Sequence, residues 1–192
     1  YYFRINDDRD PDYGALLKIN NGGPTMDERN VVDAGFLELV RLGVKPWDDP
    51  TVRTSLDVVD DTILVDTPHG PAFYRYNGDG YGEQGRNDAD SYREGAPWSL
   101  DHAGQGRLWP IFSGERGEYE LLAGGDGEFA PRNLLSTMAG FANSGRMIPE
   151  QVWDRPYSTE FGWEFGEGTG SATPLSWSMA QFVRLAHGID AG

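Results

Sequence analysis

Thr173-Pro-Leu-Ser-Trp177-Ser-Met-Ala-Gln-Phe182-Val-Arg-Leu-Ala-His-Gly188 reads as a helix, and its apolar pattern decides the fold. Leu175, Met179, Phe182, Val183 and Ala186 recur at helical spacing and predict one buried stripe. Thr173-Pro174 offers a helix start and Gly188 a stop. At 100° per residue, Trp177 falls about 200° round the wheel from Leu175. A large aromatic thus sits away from the stripe in the first turn. Helices with apolar residues on more than one face fit stacked helical layers, with helix starts and loops gathered at one end.

Four more helices are predicted upstream. Asp33 can cap one that carries Phe36, Leu37, Leu39, Val40 and Leu42 and stops at Gly43. Asp49-Pro50 opens a second, on which Val52, Leu56, Val59 and Ile63 share a face. A third is expected from Gly104-Gln-Gly-Arg107-Leu-Trp109-Pro110 through Tyr119 to Leu122. Pro131 starts the fourth, through Leu134, Leu135, Met138 and Phe141, ending near Asn143-Ser-Gly145. Long loops fill about 65–103 and 145–172, while residues 1–30 read as irregular or extended. Within them Tyr1-Tyr-Phe-Arg-Ile5 has strand propensity, and Asn6–Pro11 and Asn20-Asn-Gly-Gly-Pro24 have turn chemistry.

The chain has 192 residues, which suggests one domain, and its 26 glycines and 12 prolines fit a large share of loop. Its net charge of −15 argues against nucleic acid, which requires a basic surface, and against anionic membranes. No apolar run is long enough for a membrane span and no signal-peptide pattern is present, which leaves localisation undetermined. The absence of cysteine excludes disulfides and thiolate metal sites. His69, His102 and His187 lack ligand spacing, and the Asn/Asp turns lack that of a calcium loop, so neither metal nor cofactor is expected. His187 reads as a favourable partner for a helix C-terminus. Six Trp, nine Tyr and nine Phe exceed the needs of packing, which leaves aromatics to face a neutral ligand such as carbohydrate.

Two loop segments carry the chemistry. Arg75-Tyr-Asn-Gly-Asp79-Gly-Tyr81-Gly-Glu83 sets a cation, two carboxylates and two phenols among three glycines. Arg75 can donate and Asp79 accept at adjacent sugar hydroxyls, or the two can form a surface ion pair worth about 0–1 kcal/mol. The glycines suit a backbone that approaches a ligand closely. Met147-Ile-Pro-Glu150-Gln-Val-Trp153-Asp154 holds a carboxylate between a proline and an aromatic. Glu150 reads either as a positioned general base or as a solvated loop side chain. Trp109 and Trp177 stand at helix starts, where tryptophan is ordinarily core. Trp98 and Trp153 lie in loops, where stacking on a sugar face is more natural. Ser113-Gly-Glu-Arg-Gly is not a nucleophile elbow, because no strand precedes it.

At these residues the chain resembles the C-terminal half of the catalytic domain of glycoside hydrolase family 15, which includes glucoamylases and glucodextranases. The resemblance runs from Tyr1-Tyr-Phe-Arg4 and Val31–Gly43 through Trp109–Leu121 to Ser176-Trp-Ser178, in the family's order. It implies an all-α fold, a partial (α/α)6 barrel of which about half the helices are here, with long loops and a short extended N-terminal segment. Residues 1–192 would be the C-terminal part of one catalytic domain whose N-terminal remainder lies outside this chain. The start at Tyr1 without Met fits an interior piece.

The same resemblance implies an inverting, exo-acting α-glucosidase that releases glucose from non-reducing ends of α-glucans. Glu150 would be the general base, with Arg75, Asp79, Tyr81, Trp109 and Trp177 binding the terminal sugar. The family's Trp-Glu-Glu segment, which carries the general acid, is absent from these 192 residues. The implied partners are an α-glucan oligosaccharide or glucose and the remainder of the domain. The alternative is a non-catalytic carbohydrate-binding or regulatory module derived from the same barrel.

Overall fold

The computed structural model describes residues 1–3, 10, 13–85, 93–99 and 104–192. The expected turn over Asn6–Pro11 (Asp10 excepted), Arg4, Ile5 and His102 lie outside them. The architecture is helix-rich, with two small antiparallel hairpins: β1 Leu16–Lys18 with β2 Thr25–Asp27, and β3 Leu64–Thr67 with β4 Gly70–Phe73. Among the described residues five α-helices follow the expected order: α1 Leu37–Arg41, α2 Pro50–Ile63, α3 Pro110–Ala123, α4 Pro131–Gly140 and α5 Ser176–Ala191.

α2 and α4 start where their prolines predict. Asp49 caps α2 by accepting from the Thr51 and Val52 N–H groups, and Val52, Leu56, Val59 and Ile63 form its buried face. α4 buries Leu134 and Met138, and Phe141 follows in the core. α1 is shorter than predicted, because Asp33 accepts from Gly35 N–H in a tight turn and the helix begins only at Leu37. α3 begins at Pro110 rather than near Gly104. Gly104 and Leu108 instead make isolated antiparallel bridges, and Gly124, with φ 75°, ends the helix.

The two hairpins depart from an all-α expectation. Asn21 and Gly22 take positive φ in the Asn20–Pro24 turn, so its turn chemistry folds back β1 and β2. The first three residues join no strand, although Tyr2 stacks on Phe36 with centroids 5.4 Å apart. The β3–β4 hairpin occupies the start of the expected 65–103 loop, directly after α2.

α5 also differs from its reading. Its buried residues are Ser178, Gln181 and Leu185, while Val183 is exposed and the predicted stripe is only partly covered. The helix passes through Gly188, and His187 stands short of the terminus. The reason lies on α3. A Cβ on Gly114 would meet Gln181 Cγ at 2.5 Å, and one on Gly117 would meet Leu185 Cδ2 at 2.6 Å. The bare glycines let α5 settle on that side. Arg116 joins α3 to α2 through Asp60 at 2.6 and 2.9 Å and pairs with Glu120 on its own helix at 2.6 Å. Ser113, fully buried, donates to the Pro71 carbonyl and seats α3 on β4.

Two apolar clusters result. Val32, Phe36, Leu37, Val40, the α2 face, Phe73 and Tyr119 form the larger. Ala72, Leu108, Phe141 and Val152 form the smaller. The smaller one underlies a row of single-residue antiparallel bridges, Tyr74 to Leu108, Leu108 to Val152 and Val152 to Gly168. Four segments far apart in the chain thereby lie side by side.

Candidate active site

Three of the candidate side chains, Arg75, Trp109 and Glu150, are one or two residues from a bridge of that row. Arg75 follows Tyr74, Trp109 follows Leu108, and Glu150 and Gln151 precede Val152. Trp109 N–H donates to the Phe73 carbonyl, which fixes the start of α3 against β4.

Arg75 and Asp79 form a bidentate pair, with Nε to Oδ2 at 2.8 Å and Nη2 to Oδ1 at 2.9 Å. The Asp79 side chain is nearly buried, and its Oδ1 also accepts from Tyr81 N–H at 3.0 Å. The guanidinium carbon lies 4.9 Å from the Trp109 ring, 5.3 Å from Tyr81 and 5.1 Å from Tyr76. Burial works against the charge on Arg75, but Asp79 outweighs it and raises the Arg75 pKa. Tyr81 and Trp109 have ring centroids 6.2 Å apart. Trp109 itself is buried, and its Nε1 has no hydrogen-bond partner among the described residues.

Two of the loop glycines sit close against other segments of the chain. A Cβ on Gly80 would meet the Asn21 carbonyl oxygen at 2.3 Å, and one on Gly82 the Gln105 carbonyl oxygen at 2.2 Å. They admit neighbouring backbone of the same chain. Gly82 alone of the three also reaches the cavity wall.

That cavity measures about 380 Å³ and is lined by Tyr81, Glu83, Trp98, Glu150, Gln151 and Trp163, among others. A smaller charged hollow of about 240 Å³ between α2 and α3 shares no residue with it; volume and lining both favour the cavity at Glu150 as the candidate site. Glu150 is half-buried, and its N–H donates to the Ala172 carbonyl at 2.9 Å. Burial raises its pKa above the ordinary glutamate value. Gln151, Arg75 and the Ala172 backbone oppose that rise, and Glu83 adds to it. The charge of Glu150, followed by burial, lifts the Tyr81 phenol above its usual value. Glu150, Tyr81 and Arg75 are therefore within electrostatic reach of one another.

Trp177 is not brought into this group. It is two-thirds exposed and does not line the cavity, although its neighbour Ser178 donates to the Pro149 carbonyl at 3.1 Å. Trp153 is fully buried, with Arg107 over its ring at 4.1 Å, so it is core and not a stacking surface. Trp98 does reach the cavity and is 42% exposed.

The sequence reading missed the support beneath the site. Arg107 is fully buried and donates to Asp154 Oδ1 and the Gln84 carbonyl, each at 2.9 Å. Tyr74 donates to Asp154 Oδ2 at 2.6 Å, and burial followed by Asp154 raises its pKa. Gln151 Oε1 accepts from Arg107 N–H at 2.7 Å. Glu83 and Trp163 complete the wall. An arginine in a Gly-Gln-Gly-Arg run carries no periodicity that marks it as buried. Among the described residues no group of three or more His, Asp or Glu could hold a metal ion, and no helix is long and apolar enough to cross a membrane.

Comparison with known proteins identifies the family. The family model described as glycosyl hydrolases family 15 matches residues 1–187. A glucoamylase from Clostridium sp. (strain G0005) is 46% identical over 186 residues, 96% of this chain and 23% of that protein. The crystal structure of a bacterial glucoamylase complexed with acarbose superposes with a TM-score of 0.82 at 45% identity, covering 99% of this chain and 25% of that one. A wild-type glycosidase at 22% identity and a TM-score of 0.56, covering 90% of this chain and 40% of its own, shares the fold. The chain spans about a quarter of the length of the two glucoamylases. It belongs to the glycosyl hydrolases of family 15.

Proposed function

We propose that this chain is the part of an inverting, exo-acting α-glucosidase of glucoamylase or glucodextranase type that supplies the general base and one wall of the glucose site. Its five helices would be about half of an (α/α)6 barrel, completed by a segment outside these residues. The observation that carries the reading is the placement of Glu150, half-buried on a cavity shared with Tyr81 and within reach of the Arg75–Asp79 pair.

In this reading Arg75 and Asp79 hydrogen-bond the hydroxyls of the terminal glucose. Tyr81 covers its apolar face from the cavity wall, with the buried Trp109 ring 6.2 Å from the Tyr81 ring. Ionised Glu150 takes a proton from a water, whose oxygen bonds to the anomeric carbon as the glycosidic bond breaks on the opposite face. A second carboxyl group, about 6.5–9.5 Å from the base in inverting enzymes, protonates the leaving oxygen. It would come from the completing segment. The bound oligosaccharide is suggested by the acarbose complex of the similar bacterial glucoamylase.

The test is Glu150→Gln in the intact enzyme. Glucose release should fall by a factor of at least ~10² while the affinity for a maltose-like ligand stays near the parental value, since a base acts in the transition state more than on bound sugar. Activity within about tenfold of the parent would reject Glu150 as the base. Sugar binding without hydrolysis by the intact parent protein would favour a carbohydrate-binding module instead.

A further inference from the structure

Glu83 is the second carboxylate on the cavity that holds Glu150, and the proposed reaction gives it no part. It is 5% exposed. Its Oε1 accepts from Gly170 N–H at 3.0 Å, whereas its Oε2 is buried without a hydrogen-bond partner among the described residues. Arg107 Nε, likewise without a partner, lies 3.9 Å away. A pair that existed only for stability would close this gap, because a buried carboxylate oxygen without a donor is costly. It cannot close here. Arg107 is pinned by Asp154, by the Gln84 carbonyl and by the Trp153 ring, and Glu83 is pinned by Gly170. Buried polar atoms left unsatisfied in this way call for an explanation.

The attachment point of Glu83 supplies one. Segment 168–172 runs beside the segment that presents Glu150. Glu150 N–H donates to the Ala172 carbonyl, Gln151 N–H to Ser171 Oγ, and Thr169 N–H to the Gln151 carbonyl. Arg107 reaches the other side of the same segment through its N–H bond to Gln151 Oε1. We propose that Glu83 is a positioning residue for Glu150, its carboxylate clamping the 168–172 segment on the cavity that the two share. The proposal rests on the reading of Glu150 as the base.

The charge of Glu83 has a definite consequence. Glu150 also faces Arg75, whose cation holds its proton affinity down, and the phenol of Tyr81, while Gln151 adjoins it in the chain. Glu83 is the neighbouring anion that raises that affinity. The base must be ionised, so the acid limb of the pH–rate profile follows the proton affinity of Glu150. Neutralising Glu83 moves that limb to lower pH.

The experiment uses the intact enzyme with Glu83→Gln, Glu83→Asp and Glu150→Gln side by side, read by kcat, KM, the pH profile of kcat/KM and thermal unfolding. Glu83→Gln should lower kcat about tenfold, leave KM within about twofold, and shift the acid limb downward. Glu83→Asp restores the charge without the reach, so its limb returns towards the parental pH while kcat stays reduced. A merely structural Glu83 would lower the unfolding temperature and leave kcat and the limb unchanged, which would overturn the proposal. Weakened binding of a glucose-like inhibitor would overturn it too, by making Glu83 a sugar contact. If Glu83→Gln does not fold, the aspartate variant decides: reduced kcat at the parental limb supports the proposal and parental kcat rejects it. Activity surviving in Glu150→Gln would sink the base assignment itself. Activity lost there and unchanged in Glu83→Gln would sink only the positioning role.

Discussion

In the proposed reading, Arg75 and Asp79 take their role from their surroundings. On an open surface the same pair would contribute little. Here the Asp79 side chain is 2% exposed, and three aromatic rings lie within 5.3 Å of the guanidinium. Sugar hydroxyls bonded at this point would lose charged partners if either side chain were removed. Arg75→Ala and Asp79→Asn should each weaken both the affinity for a glucose-like inhibitor and turnover, by roughly 1.5–3 kcal/mol. Calorimetry beside steady-state kinetics reads both quantities. Unchanged inhibitor affinity in either variant would remove that residue from the sugar site.

At the scale of elements, α1, α3 and α5 meet around a cluster of charges. Arg41 pairs with Glu38 on α1, and Arg184 of α5 bonds Glu118 of α3 at 2.5 Å. Glu115, on α3 between them, has its pKa pushed up to about 7 by burial first and then by Glu38. The carboxyl holds its proton more tightly folded than unfolded, so its contribution to stability is full below about pH 4.5 and is lost as pH rises through about 7. Glu115→Gln should therefore stabilise the protein at pH 8 by roughly 1–3 kcal/mol and make little difference at pH 4. Thermal unfolding of parent and variant across pH 4–8 checks this. A constant difference over that range would assign the effect to packing.

For the whole molecule, the proposed reading makes the chain incomplete as a catalyst. A base without an acid cannot protonate the leaving oxygen, so the purified 192-residue chain should release no glucose from maltose, isomaltose or starch. Trp177, Val183, Leu122, Leu42 and Val44 are each more than half exposed. Such apolar surface favours self-association, which sedimentation of the isolated chain would detect. Turnover that survives purification and disappears in Glu150→Gln would show that a carboxylate within the chain serves as the acid.

Features that depend on neighbours along the chain were legible in the amino-acid order. Asp49-Pro50 and Pro131 placed the starts of α2 and α4, because capping and the fixed φ of proline act within one turn. The spacing of Arg75, Asp79 and Tyr81 carried their grouping, since one loop holds all three. The rest came from packing between distant segments. α5 buries Ser178, Gln181 and Leu185 because α3 offers it Gly114 and Gly117, a close approach that no periodicity in α5 encodes. The buried Arg107–Asp154–Tyr74 support and the placement of Glu83 depend on bridges between positions 74, 108, 152 and 168. Each bridge joins single residues across long stretches of chain and leaves no local pattern. Glu150 was legible as a candidate, but its environment was made by segments 20 to 75 residues away.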